Sequence, residues 1–156
     1  MFFRTLAVLA ALAVGPIVTA SAQDAPKPGV TVTNAWARAM PAGATVGAAY
    51  LELTATTGDK LIAIASPVAG RAEIHTHVHD NGTMQMRRLE SFELKPGEPR
   101  KLAPGGDHLM LFDVKAPLQQ GGTLPLTLTF EKAGVISVEA KIEPIGAPGP
   151  SSSPDH

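Results

Sequence analysis

The sequence predicts an all-β domain, either a β-sandwich or a small barrel of seven or eight short strands. Several segments alternate apolar and polar residues with a period of two, and none has convincing helical periodicity. The 14 Pro and 15 Gly separate these segments at short intervals, as the turns of sandwiches do. The chain contains no internal repeat, so a single domain is expected.

The two ends of the chain differ in composition from this predicted domain. The N-terminus carries Arg4, then an apolar block, then Ala20-Ser21-Ala22, which together are typical of a secretory signal peptide cleaved after Ala22. Gly15-Pro16 interrupts the apolar block, so no stable membrane insertion is expected. The expected segments are a signal peptide at 1–22, a flexible leader at 23–29, the domain at 30–145 and a flexible tail at 146–156.

Charge and cysteine content exclude several classes of function. Removing Arg4 leaves 12 of the 13 Lys and Arg against 14 Asp and Glu, a net charge near −2 with no basic stripe. Nucleic-acid binding is therefore not expected. The absence of Cys excludes a blue-copper centre, a Cys-based zinc site and a lipid-attachment residue after the cleavage site. No G-x-S-x-G motif is present and no substrate pocket is indicated, so we do not expect an enzyme.

Alternation defines the strands before and after the central segment. Ala49, Leu51 and Leu53 share one side of a strand, whereas Trp36, the only Trp, is expected to anchor the core. Pro125 indicates an edge or strand-start position. The predicted strands outside the central segment are 30–38, 47–54, 61–66, 123–130 and 135–143, with loops at 41–43 and 67–71.

A hairpin is predicted around Asn81-Gly82, which are suited to the two central positions of a type I′ turn. This turn pairs residues whose numbers sum to 163, which makes His75 a diagonal neighbour of Met86. One face would then carry every His and Met of the hairpin, and the other face its apolar residues. The first group is His75, His77, His79, Met84 and Met86; the second is Ile74, Val78 and Leu89.

Four of the five His and three of the five Met lie between Ala72 and Met110. Imidazole and thioether are neutral ligands of soft metals, and together they favour monovalent copper. His108 and Met110 also share a face, so the donors converge if the sheet brings this segment beside the hairpin. The alternative is that the Met side chains fill the core and the His side chains form an exposed polar face.

Short motifs along residues 30–143 resemble the periplasmic copper chaperone family called PCuAC-like. They are A-W-A-R (35–38), G-A-A-Y-L (47–51), A-E-I-H (72–75), G-T-M-Q-M-R (82–87), L-A-P-G-G-D-H-L-M-L (102–111) and L-T-L-T-F (126–130). The family's metal motif is His, ten residues, Met, twenty-one residues, then His-x-Met. That spacing falls on His75, Met86, His108 and Met110.

The resemblance implies a cupredoxin-like Greek-key β-sandwich or barrel that carries one Cu(I) at an exposed site. It also implies a periplasmic location and delivery of copper to the copper subunit of cytochrome c oxidase, directly or through another copper chaperone. His77, His79 and Met84 are secondary candidates as intermediate ligands, although His79 could equally be a solvated turn residue. Met40 is expected to be structural.

Two positions depart from the family pattern. His77 stands where many members have Met, and Asp107 stands where an aromatic or apolar residue usually precedes the second His. An added imidazole and a nearby carboxylate both tolerate Cu(II) better than thioether does, so Cu(II) binding is possible beside the preferred Cu(I). The predicted tail offers only His156, so the Cu(II)-binding extension of some relatives is not expected here.

Overall fold

The computed structural model describes residues 29–151, which form an all-β domain of ten strands. The predicted signal peptide, the leader up to residue 28 and residues 152–156 lie outside the described residues. The strands are β1 (Val30–Arg38), β2 (Gly47–Ala55), β3 (Asp59–Ala65), β4 (Ala69–Asp80), β5 (Thr83–Leu89), β6 (Phe92–Leu94), β7 (Arg100–Lys101), β8 (His108–Val114), β9 (Thr123–Phe130) and β10 (Gly134–Glu143).

All ten strands belong to one sheet, which encloses the main core. The strand order is β5-β4-β8-β2-β1-β10-β9-β3-β6, with β7 paired to β2. The pair β1 and β10 is parallel, and the other strand pairs are antiparallel. The predicted all-β, single-domain fold is confirmed. No helix that could span a membrane is found within residues 29–151.

The alternating residues point inward as their spacing predicted. Every second residue of β9, from Leu124 to Phe130, is almost fully buried, as are Ala49, Leu51 and Leu53 of β2. Met40 is also buried in this core, which confirms its structural role. Pro125 lies beyond the last residue of β9 that pairs with β3, so its missing N–H interrupts no ladder on that side.

The predicted strand bounds shift by one or two residues in β2, β3 and β10, and two differences are larger. β4 begins at Ala69, inside the predicted loop 67–71, because Ala69 and Arg71 pair with residues of β8 that are remote in sequence. The short strands β6 and β7 were not predicted, since two or three residues are too few to show a period.

Trp36 is buried as predicted, in a small cluster with Tyr50 and Ala147 that is separate from the main core. The Trp36 and Tyr50 rings are 4.5 Å apart. Arg38 Nε and Nη2 both donate to the Ala147 carbonyl, at 3.0 and 2.8 Å. The first part of the predicted tail, residues 146–151, therefore lies against the domain.

Candidate metal centre

The β4–β5 hairpin has the predicted register. His77 lies opposite Met86 and His79 lies opposite Met84, so His75 is diagonal to Met86. Asn81 and Gly82 have φ values of 47° and 80°, as the two central positions of a type I′ turn require. The three His and two Met of the hairpin therefore share its outer face, while Ile74 is buried on the inner face.

β8 lies next to β4 and brings the second pair of donors to the same face. His75 pairs directly with His108, and Glu73 pairs with Met110. Met110 is consequently a diagonal neighbour of His75 on β8, as Met86 is on β5. Leu109 and Leu111 turn into the core, as predicted. His75 thus stands at the centre of the four residues expected to be ligands.

A single backbone carbonyl orients two of the imidazoles. The Gly106 oxygen accepts a hydrogen bond from Nδ1 of His108 at 2.9 Å and from Nδ1 of His77 at 3.0 Å. Both rings therefore keep the lone pair of Nε2 available for another partner. Their centroids are 5.2 Å apart, so His77 lies beside His108 and not in bulk solvent.

His75 is held by the carboxylate of Glu73, which was not among the predicted site residues. Its Nε2 donates to Glu73 at 2.9 Å, and Glu73 also pairs with Arg71 at 3.1 Å and with Arg88 at 3.8 Å. The hydrogen bond from His75, with the charges of Arg88 and Arg71, holds the pKa of Glu73 below its usual value despite burial. Nδ1 of His75 is buried without a partner, alone among the side-chain nitrogens and oxygens of residues 29–151.

Exposure differs strongly among the donors. His108 is only 5% exposed, and burial beside His77 and His75 lowers its pKa although the Gly106 carbonyl acts the other way. Met86 and Met84 are 54% and 52% exposed, two of the six large apolar side chains within residues 29–151 that are exposed. The histidine side of the cluster is therefore shielded and the β5 side is open to solvent.

Asp107 does not lie among these donors. Its carboxylate accepts from the Thr76 hydroxyl and from Arg100 at 3.0 Å. Thr76 is on the face of β4 opposite to His75 and His77. Asp107 turns to the other face, where its oxygens are engaged, but its charge still acts on His108 and opposes the lowering of the His108 pKa, so it is a nearby carboxylate without being one of the donors.

The cluster combines donors that suit a soft ion. No three His, Asp or Glu side chains within residues 29–151 form a group that could hold a metal ion by themselves. Thioether sulfur is close to imidazole nitrogen on this face, since Met86 and Met110 flank His75 on either side. The alternative of core-filling methionines does not hold for Met84 and Met86, since both are exposed.

Two hydrogen-bond acceptors of the histidines, the Glu73 carboxylate and the Gly106 carbonyl, were not predicted from the sequence. Glu73 could have been found by extending the two-residue period of the hairpin face back by one step from His75. The Gly106 carbonyl carries no side-chain signal, so only the course of the backbone reveals it.

Comparisons with known proteins identify the family and the fold. Residues 30–142 match the family described as "Putative lipoprotein LpqE-like". The chain is 32% identical over 116 residues to "Putative lipoprotein Lxx21020" of Leifsonia xyli subsp. xyli (strain CTCB07), covering 74% of this chain and 70% of that protein.

Two solved structures share the fold. The copper-bound PCuAC domain from PmoF2 is 27% identical, with a TM-score of 0.62, and the match covers 74% of this chain and 92% of that domain. The solution structure of CuI-DR1885 from Deinococcus radiodurans is 28% identical, with a TM-score of 0.54 over 78% and 81% of the two chains. The predicted resemblance to PCuAC domains is confirmed, and the chain belongs to the LpqE-like family.

Proposed function

We propose that this protein is a periplasmic copper chaperone that carries one Cu(I) on His75, Met86, His108 and Met110. The observation that carries the proposal is the partnerless Nδ1 of His75, buried directly opposite His108 and between two diagonal methionines. Two structural relatives with bound copper, the PCuAC domain from PmoF2 and CuI-DR1885, support the same function.

The charge of the donor set favours the monovalent ion. Two neutral imidazoles and two neutral thioethers offset none of the ion's charge, so a +1 ion loses less on leaving water than a +2 ion does. Thioether adds little for Zn(II), which prefers thiolate, imidazole and carboxylate. Glu73 is engaged by Arg71, Arg88 and His75, so its charge is already offset by neighbouring groups.

The asymmetric exposure of the cluster suits a carrier. The shielded histidines would hold the ion, while the open β5 side would let an acceptor replace Met86 by its own stronger donor. His77, His79 and Met84 would serve as intermediate ligands during entry and exit. We expect the acceptor to be the copper subunit of cytochrome c oxidase or another copper chaperone, with no catalytic step in this protein.

The predicted signal peptide and the lipoprotein names of the relatives support an exported, cell-envelope location. More specifically, we propose that the protein is located in the periplasm and that its signal peptide is cleaved after Ala22. N-terminal sequencing of the secreted protein would test the cleavage site.

A Cu(I) titration of the mature protein under reducing conditions, in competition with a chromophoric chelator, tests the proposal. We expect one equivalent to bind, and His108→Ala or Met110→Ala to abolish it. X-ray absorption of the loaded protein should show sulfur and nitrogen ligands, and mixing with apo acceptor should move the ion. Weak binding without a fixed stoichiometry would instead indicate a partner-binding sandwich that carries no metal.

A Cu(II)-tolerant copper buffer is a second candidate. The position of His77 beside His108, on the shared Gly106 carbonyl, favours it because a third imidazole is within reach. A buffer should give a stable nitrogen-rich Cu(II) spectrum by electron paramagnetic resonance and should retain copper when the acceptor is added. His77→Met should remove that spectrum and leave Cu(I) binding intact.

A further inference from the structure

The two histidines that face each other across β4 and β8 keep different ring nitrogens free. His108 donates from Nδ1 to the Gly106 carbonyl, which leaves Nε2. His75 donates from Nε2 to Glu73, which leaves Nδ1, and that atom is buried without a partner. A buried lone pair without a hydrogen bond is costly, so a ligand at this atom would relieve the cost.

Glu73 is itself fixed in place on the outer face of β4. Arg71 binds its Oε1 at 3.1 Å and Arg88 approaches the same oxygen at 3.8 Å, whereas Oε2 faces His75. The Glu73 side chain is only 11% exposed, and Arg71 also lies over the Phe112 ring at 4.5 Å. The carboxylate is therefore held on one oxygen by arginine and presents the other to the imidazole.

We propose that Glu73 is a positioning residue that locks His75 in the Nε2–H tautomer, so that copper is bound by Nδ1 of His75 and by Nε2 of His108. This inference rests on the proposed function, because it names the atoms that would hold the ion. Carboxylates that accept the outer N–H of a ligating histidine fix the tautomer and ring orientation and strengthen the donor atom.

Arg71 and Arg88 keep the Glu73 carboxylate from becoming a ligand itself in this arrangement. A free carboxylate next to the site could leave His75 and bind the ion directly, which would favour a divalent metal. Two ion pairs on Oε1 hold Glu73 in its supporting position and offset its charge. The donor set at the ion then stays neutral, as a monovalent cargo requires.

The tautomer is measured directly by two-bond ¹H–¹⁵N correlation spectra of the full mature protein with labelled histidine. In the apoprotein, His75 should show a protonated Nε2 and an unprotonated Nδ1, and His108 the reverse. On addition of one equivalent of Cu(I), which is diamagnetic, the nitrogens that shift should be Nδ1 of His75 and Nε2 of His108.

Variants of Glu73 separate positioning from folding. Glu73→Ala should give His75 a mixture of tautomers and lower Cu(I) affinity by about 10- to 100-fold, the usual effect of losing such a partner. Glu73→Gln keeps an oxygen acceptor and should restore the Nε2–H tautomer with a smaller loss of affinity. Glu52→Ala is the matched control, because Glu52 is also a partly buried strand residue in an ion pair, with Lys101 at 3.4 Å.

Should Glu73→Ala fail to fold, Glu73→Gln and the wild-type spectra with and without Cu(I) still decide the inference, and Arg88→Ala is a second control. It removes one ion pair but leaves the His75–Glu73 hydrogen bond, so the tautomer should persist and the affinity should change by less than about threefold. The inference is overturned if the His75 tautomer is unchanged in Glu73→Ala, or if Cu(I) shifts Nε2 of His75. Failure of the wild-type protein to bind Cu(I) would overturn the proposed function and the assignment of the two ligating nitrogens. The spectra of the apoprotein test the His75 tautomer independently of copper.

Discussion

His75 and His108 come from strands far apart in sequence, yet they pair directly and their ring centroids are 6.0 Å apart. An imidazole nitrogen binds a first-row metal at about 2.0 Å, which puts two rings that share one ion about 5 to 6 Å apart at tetrahedral or wider angles. The spacing therefore suits a shared ion without movement of the backbone. The direct pairing of β4 with β8 sets this spacing of the two rings.

Met86 and Met84 allow the ligand assignment to be tested with a matched pair. The two side chains are on the same strand and equally exposed, but only Met86 is diagonal to His75, whereas Met84 lies opposite His79 near the turn. Met86→Ser should weaken Cu(I) binding by roughly tenfold or more and Met84→Ser much less, with equal thermal midpoints. Competition against a chromophoric Cu(I) chelator measures both. Equal losses would show that the ion lies nearer the turn than we infer.

The lowered pKa of Asp59 makes the stability of the domain depend on pH. Asp59 is buried, which raises its pKa, but backbone N–H donors from Lys60, Lys132 and Ala133 together lower the pKa below the usual 3.8. Because the folded state binds the proton less readily than the unfolded state, this stabilisation is present above pH 3.8 and is lost as the pH falls through the folded pKa.

Asp59→Asn should lower the free energy of unfolding by about 1 to 3 kcal/mol at pH 7, since an amide cannot accept all three donors. The difference from the wild-type protein should shrink as the pH falls below 3.8 and through the folded pKa, where the wild-type carboxylate becomes protonated. Urea unfolding at pH 7 and pH 3 measures it. Glu98→Gln, at an exposed ion pair with Lys95, is the control and should change little at either pH. A constant difference at both pH values would mean that the carboxylate charge is not the cause.

The single Trp reports on the segment that follows β10. Ala147 is buried against Trp36 and Tyr50, and Ser151 donates from N and Oγ to Glu143 at 3.1 and 2.6 Å. Ala147→Asp would bury a carboxylate without a partner, so it should release this segment, shift Trp36 emission to longer wavelength and cost about 1 to 3 kcal/mol. Gly146→Asp adds the same charge at the exposed neighbouring position and should leave the emission unchanged. An unshifted spectrum in Ala147→Asp would mean that Trp36 is shielded without this segment.

The register of the β4–β5 hairpin was predictable because the residues that determine it are close together in sequence. Asn81-Gly82 specifies the turn, the turn specifies which residues pair, and a period of two then assigns His77 and Met86 to one face. The same rule places Asp107 on the face opposite to His108. Its carboxylate therefore binds Thr76 and Arg100, although its charge still acts on His108.

The sequence did not predict that β8 pairs with β4; it predicted only that the donors would converge if these strands were neighbours. Nothing in residues 69–80 specifies which distant strand will lie beside them, since that choice depends on the closure of the whole core. The same limit hid the ion pairs of Glu73, whose partner Arg88 lies on another strand. Local patterns therefore indicated the chemistry of the site, and tertiary packing determined the orientation of its ring nitrogens.

The turn that sets the register gives a last prediction. Gly82 has φ of 80° and no atom within 4 Å of an added Cβ, so Gly82→Ala meets backbone strain but no clash. The strain should cost about 1 kcal/mol, because residues with a Cβ disfavour positive φ. Gly146→Ala, also in open space but without positive φ, should cost much less.

The strain of Gly82→Ala should appear in the hairpin before it appears in the core, since β5 is an edge strand that pairs only with β4. Amide exchange of Thr83–Leu89 should therefore speed up more than that of β9, and Cu(I) affinity should fall with it because Met86 is carried on this strand. Faster exchange across both strands alike would show that the hairpin does not open as a separate unit.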